Sequence, residues 1–248
     1  TGKTVWVAGE TGMVGSATIR RLASEGCTLL SATRKDFDLR DQASVATWMK
    51  NSRPNIVVLA AATVGGIFAN STRPAEFLYD NLMIESNIIH AAHEAGTEKL
   101  LFLGSACIYP RDAAQPMVEN ALLTGPLEPT NEWYAVAKIA GIKLCQAYRK
   151  QYGSDFISAQ PNNLYGPGDN FDLQSSHVIP ALIRKTHQAK EMGDATVDIW
   201  GTGRPLREFL HVDDLADAIV HLLKAYSGPS HVNIGTGEEI SIMELAHT

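Results

Sequence analysis

The chain alternates two textures over its first 165 residues. Short apolar runs at Thr4–Ala8, Leu29–Thr33, Ile56–Ala60, Lys99–Leu103 and Phe156–Pro161 are bounded by turn formers. They are too short for helices and almost continuously apolar, which predicts parallel strands buried on both faces. Helical periodicity fills the gaps at Gly12–Ser24, Ser44–Asn51, Arg73–Ala95 and Asn131–Gln151. Strand–helix alternation of this kind predicts right-handed βαβ units in an α/β, doubly wound parallel Rossmann sheet. After Tyr165 the chain turns loop-rich, with helices expected near Ile179–Glu191 and from Asp213-Asp214 to Lys224, and a strand at Val232–Ile234. Residues 1–165 therefore read as a cofactor-binding unit. Residues 166–248 read as a smaller, C-terminal lobe over the strand ends, with 230–236 returning to the sheet.

The glycines make the first strand–helix junction chemical. Gly9, Gly12 and Gly15 recur at every third position in Gly9-Glu10-Thr11-Gly12-Met13-Val14-Gly15. Such a turn brings bare backbone amides and a helix N-terminus to a pyrophosphate, and lets the helix pack close to the strand. At the end of the second strand an NAD site usually offers a carboxylate. Here Arg34 stands first and Asp36 and Asp38 follow, which favours the 2′-phosphate of NADP, with Asp38 and Leu39 flanking the adenine. A solvated surface arginine is the competing reading.

A second cluster follows the fourth strand, which ends in Leu103-Gly104-Ser105-Ala106-Cys107 where open α/β sheets bind ligands. On the next long helix Tyr134 and Lys138 are one turn apart on one face. An ammonium beside a phenol is expected to lower its pKa and make it a proton donor near neutrality. Each residue has a plainer alternative: a local backbone bond for Ser105, a small buried hydrophobe for Cys107 and a helix-surface pair for Tyr134 and Lys138.

Taken in order, these motifs resemble the extended short-chain dehydrogenase/reductase superfamily, and the longer segments resemble its GDP-L-fucose synthase family. The segments are Ala60–Ile67, Met83–His90, Gly104–Pro110, Leu127–Glu132, Lys138–Cys145, Asn163–Pro167, Ser176–Pro180 and Arg207–Asp214. They span essentially the whole chain. The resemblance implies NADPH-dependent 3,5-epimerisation and 4-reduction of GDP-4-keto-6-deoxy-mannose. It assigns Ser105 and Tyr134 to the C4 oxygen, Lys138 to the nicotinamide ribose, and Cys107 and His177 to the acid–base pair that inverts C3 and C5. Leu103, Gly104, Pro161, Asn163, Leu164 and His177 would complete the cofactor wall. Lys185, Trp200 and Arg207 would hold the nucleotide. His177 as a helix cap and Lys185 as surface charge stay open. Two positions depart from the family pattern: Lys185, where some members carry arginine, and Ala106, where a second serine is common. The same scaffold also serves nucleotide-sugar 4-epimerases and 4,6-dehydratases, and a non-catalytic NADP-sensing module is a further reading. Family members extend several dozen residues further, so part of the lobe is expected to be missing. The resemblance also implies a homodimer through the two long helices.

Composition narrows the setting. With 45% apolar and 19% charged residues the chain reads as an ordinary globule, and a formal charge of −6 argues against a nucleic-acid surface. No run reaches the roughly 20 apolar residues of a membrane span, and no signal-peptide pattern opens the chain. Three cysteines without a CxxC spacing fit a reducing cytoplasm and leave Cys107 free. His90 and His93 have no carboxylate completing a metal set, and Asp213 or Asp214 is expected to cap the helix that follows. No metal is expected.

Overall fold

The computed structural model describes residues 2–248. Its centre is a six-stranded parallel sheet in the order β2-β1-β3-β4-β5-β8, formed by β1 (Thr4–Ala8), β2 (Thr28–Leu30), β3 (Ile56–Leu59), β4 (Lys99–Leu103), β5 (Asp155–Pro161) and β8 (Val232–Ile234). The two-residue period of a strand explains how continuous apolar runs serve both faces. Trp6, Val57, Leu100 and Phe102 point to one core; Val5, Val7, Val58, Leu101 and Ile157 point to the other. α2 (Gln42–Ser52), α4 (Pro74–Glu94) and α5 (Glu132–Tyr152) cover the first face, while α1 (Met13–Leu22) and α7 (Val212–Ala225) cover the second.

A smaller sheet stands beside the main one. β6 (Asn163–Tyr165) pairs in parallel with β7 (Leu206–His211), which pairs antiparallel with β9 (Glu239–Ser241). α6 (Val178–Met192) lies between β6 and β7 in the chain, and α8 (Ile242–His247) starts from a capping box made by Ser241 and Glu244. α3 (Ile67–Thr72) is a short helix ahead of α4.

Two expectations are corrected here. β2 ends at Leu30 rather than Thr33, because Ser31 turns its hydroxyl to Glu10 (2.5 Å) and the Thr33 amide donates to Asp36 (2.7 Å). The cap of α7 is His211, whose Nδ1 accepts from the Asp213 amide at 3.3 Å. Asp213 and Asp214 instead occupy the first turn, where negative charge opposes the helix dipole favourably.

The order β2-β1-β3 makes the β1/β3 gap the topological switch point, the crevice where open sheets bind ligands. Gly9 closes one wall of it. Its φ is +90°, and a Cβ there would stand 2.9 Å from the Ala61 backbone, so only glycine fits.

Candidate active site

The glycine turn is a cradle that a side chain would fill. A Cβ on Gly15 would stand 2.0 Å from the Gly9 carbonyl oxygen, and Gly12 caps α1 with no side-chain bond to the first amides. Glu10, Thr11, Met13 and Val14 carry the turn, and the helix N-terminus is left open to an anion. At the end of β2, Asp38 is bonded by Arg40 at 2.7 Å and Asp36 by Thr33. Both carboxylates are thereby held below the ordinary range. Arg34 is exposed, with no hydrogen bond or ion pair among the described residues. Lys35 beside it is likewise exposed with its ammonium unpartnered, so the two cations are left for a ligand, which fits a 2′-phosphate. Leu39 is half-buried against the core.

The end of β4 gathers the second cluster. Ser105 caps a single 3-10 turn (Ala106–Ile108), its Oγ accepting from the Cys107 amide at 3.5 Å. That bond is at the limit of bonding length, so the hydroxyl remains available. Tyr134, in the first turn of α5, lies edge-on to Phe77 with ring centroids 6.3 Å apart. Lys138 is buried; its Nζ donates to the Leu103 carbonyl at 3.0 Å and sits 4.7 Å above the Phe102 ring. It also lies 5.8 Å from the Tyr134 ring centroid. Gly104 leaves room for the side chain of Gln160, since a Cβ there would stand 1.9 Å from its amide oxygen.

The electrostatics differ from the expectation drawn from the Tyr–Lys spacing. The Tyr134 phenol is pushed up, not down, first by burial and then by Cys107 and Glu85. Burial likewise pushes the Cys107 thiol up to about 11, opposed by Ser105 and the Lys138 charge. Lys138 is lowered by burial against the pull of Glu85 and Cys107. His177, the cap residue of α6, is lowered by its protein surroundings and raised by Asp169; its side chain makes no capping bond. Desolvation of the charged forms therefore outweighs pairing for Tyr134, Cys107, Lys138 and His177.

Lys185 and Trp200 meet, the ammonium 4.8 Å from the indole centroid and 3.1 Å from the Asp198 carbonyl. Arg207 lies on β7, exposed, with Nη1 on the Leu206 carbonyl at 2.7 Å. Pro161 ends β5, and Asn163 and Leu164 open β6, with Asn163 donating to the Glu208 carbonyl at 3.0 Å. His90 and His93 bond Tyr148 and Ser154. The described residues contain no metal-ligating cluster and no helix long and apolar enough to cross a membrane.

Glu85 was not anticipated. It sits on α4, 2% exposed, with neither carboxylate oxygen hydrogen-bonded. Burial pushes it up to about 8, opposed by the charge of Lys138. From pH 4.5 to about 8 the folded chain keeps a proton that the unfolded chain has lost, so stability falls as pH rises through that window. Glu85→Gln removes this dependence. We expect the wild-type midpoint of thermal unfolding to drop relative to that of the variant between about pH 5 and pH 8, by the equivalent of about 1–3 kcal/mol. Melting curves of both proteins that run parallel across this range would contradict it.

Residues 5–235 match the profile of the NAD dependent epimerase/dehydratase family. The chain is similar to GDP-L-fucose synthase of Sinorhizobium fredii, with 62% identity over 99% of this chain and 78% of that protein. It is 60% identical to GDP-L-fucose synthase 1 of Arabidopsis thaliana, covering 98% of this chain and 75% of that one. Among solved structures it resembles a GDP-L-fucose synthetase from Naegleria fowleri bound to NADP. That match has a TM-score of 0.90 and 30% identity, and covers 99% of this chain and 81% of the other.

Proposed function

The chain belongs to the NAD dependent epimerase/dehydratase family, and on that premise we propose that it epimerises GDP-4-keto-6-deoxy-D-mannose at C3 and C5 and reduces C4 with NADPH, giving GDP-L-fucose. The observation that carries this reading is the thiol of Cys107 standing inside the Ser105–Tyr134–Lys138 cluster at the end of β4. A plain reduction needs a proton donor for the carbonyl oxygen. An inversion beside that carbonyl needs a further group able to move a proton at carbon.

The residues divide the work as follows. Ser105 and Tyr134 face the C4 oxygen, which becomes negative twice, as enolate during inversion and as alkoxide during reduction. Of Cys107 and His177, one takes a proton from one face of C3 or C5 while the other gives a proton to the opposite face. The pair thereby passes between its ionised form, thiolate and imidazolium, and its neutral form, thiol and imidazole. NADPH supplies the hydride for C4. Tyr134 delivers the accompanying proton, and its raised pKa means that the phenol still carries that proton at neutral pH. Lys138 holds the nicotinamide ribose, the open N-terminus of α1 and Arg34 hold the phosphates, and Lys185, Trp200 and Arg207 bind the nucleotide. Leu103, Gly104, Pro161, Asn163 and Leu164 wall the cofactor.

The wild-type protein is expected to oxidise one NADPH for each GDP-keto-sugar converted, read as loss of absorbance of the reduced nicotinamide. Conversion with constant absorbance would instead mark a 4-epimerase or dehydratase that regenerates its cofactor. The setting is cytoplasmic, given the unpaired cysteines. The unit is a homodimer joined through α4 and α5, whose outward faces carry exposed Tyr79, Val136 and Tyr152.

A further inference from the structure

Cys107 sits on a turn that does little to fix itself. The 3-10 turn Ala106–Ile108 is closed by the Ile108 and Tyr109 amides, which donate to the Ser105 and Ala106 carbonyls at 3.3 and 3.4 Å, and by the Ser105 cap at 3.5 Å. All three bonds lie at the long end of bonding length, and the geometry of such turns is poor to begin with. What holds the turn in place must come from outside it. Tyr109, the residue that ends the turn, is 4% exposed and supplies that anchor.

The anchor is a set of hydrogen bonds to β8 and the residue before it. Asn233 donates through Nδ2 to the Met117 carbonyl at 3.1 Å, which turns its Oδ1 toward Tyr109, and the Tyr109 hydroxyl donates to that oxygen. The phenol has one proton and spends it there. Its contact with Nε2 of the buried His231, at 3.1 Å, is therefore one in which the ring donates. His231 carries its proton on Nε2, and keeps it there whether or not Nδ1 gains another. Burial pushes Tyr109 up to about 12, so the phenol retains the proton it donates. β8 is an edge of the main sheet, and the open amide of Asn233 is taken by Glu119 Oε1 at 3.0 Å, which ties the segment after the turn to the same strand.

We propose that Tyr109 is a positioning residue for Cys107: its hydroxyl, held by His231 and Asn233, locks the turn so that the thiol meets C3 and C5 of the sugar. This rests on the functional reading above. Ser105 follows β4 after Gly104, whose amide donates to the Ala159 carbonyl of β5 at 2.9 Å, so the sheet itself places the serine. Cys107 lies further along and depends on the far end of the turn. Exchange of a proton at carbon needs its acid–base groups held to within about 0.5–1 Å. The clamp therefore acts on inversion more than on reduction, for which Tyr134 and Lys138 have anchors of their own on Phe77 and the Leu103 carbonyl.

The test is Tyr109→Phe in the whole chain, which removes the hydroxyl and keeps the ring. Uptake of solvent deuterium at C3 and C5, with NADP⁺ in place of NADPH, is followed by mass spectrometry. Reduction of the pre-epimerised sugar is followed separately by nicotinamide absorbance. The maximal rate of uptake is expected to fall about tenfold or more with KM within about twofold, while reduction stays within about threefold. Alkylation of Cys107 by iodoacetamide, scored against Cys27 of the same molecule, is expected to quicken severalfold as the turn loosens. Equal loss of both rates, unmoved uptake or an unmoved alkylation ratio each overturns the proposal. If Tyr109→Phe does not fold, His231→Gln and His231→Leu read the clamp from the other side. Glutamine still donates to the phenol and is expected to keep uptake near the wild-type rate, whereas leucine cannot and is expected to lose about threefold or more. Equal uptake in the two variants overturns the proposal. A wild-type protein that takes up no deuterium would sink the functional reading, while the alkylation ratio would still report on the turn.

Discussion

Tyr134→Phe is expected to slow C4 reduction by about 10²–10⁴-fold while NADPH affinity stays within a few-fold of the wild type. The phenyl ring keeps the edge-on contact with Phe77 and the first turn of α5, so the wall of the site survives. What is lost is one hydroxyl and its proton. Hydride arriving at C4 without that proton leaves an alkoxide held by Ser105 alone, on the carbonyl oxygen where charge develops. Single-turnover reduction of an already epimerised substrate, followed by nicotinamide absorbance, isolates the step, and fluorescence titration of NADPH reports the binding. Unchanged reduction would remove Tyr134 from the role of proton donor. Loss of NADPH binding would show instead that the variant had damaged the site.

Cys107→Ser should divide the two chemistries. Deuterium uptake at C3 and C5 is expected to fall by about 10²-fold or more, because a serine hydroxyl cannot exchange protons near neutrality as a thiol can. Reduction of the pre-epimerised sugar should stay within about tenfold, since Ser105, Tyr134 and Lys138 are untouched. The thiol rests in the protonated state, pushed up to about 11. Its use as a base therefore depends on the positive charge of Lys138 and on a partner that takes the proton. Deuterium uptake at the wild-type rate in the serine variant would place the base elsewhere.

The parts of the molecule readable from the chain are those governed by local periodicity. Each apolar run begins its strand within one residue of the expected place, and α4 and α5 start and stop close to their predicted ends, because burial on two faces and helical stripes are written in neighbouring residues. The three-residue strands β6 and β9 and the six-residue β7 carry no such record. Their pairing partners are distant in the chain, and pairing rather than propensity makes them strands. The glycine cradle was legible because backbone geometry demands glycine there, and Ser105 and Cys107 because they follow the end of a central strand, where such sheets bind ligands. The direction of the Tyr134 shift was not, since it depends on how much protein surrounds the phenol rather than on its spacing from Lys138. Glu85 did leave a trace. It shares a helical stripe with Asn81, Ile88 and Ala92, all buried, and a charge on a buried stripe is the kind of anomaly that marks a perturbed group.

The return of the chain to β8 between β7 and β9 of the small sheet has a consequence for how such a molecule can change over time. β8 pairs with β5, and α7 packs on α1, although both follow β6, α6 and β7 in the chain. β6, α6 and β7 are thus enclosed between two stretches of the main layer, and β9 rejoins them after β8. Exchanging the small sheet for another requires three compatible junctions, near Pro161, near His211 and near Ile234. A single crossover would strand α7 and β8 with the wrong partner. Divergence by gradual substitution on a kept frame is therefore the easier route to new specificity, and exchange of whole segments the harder one.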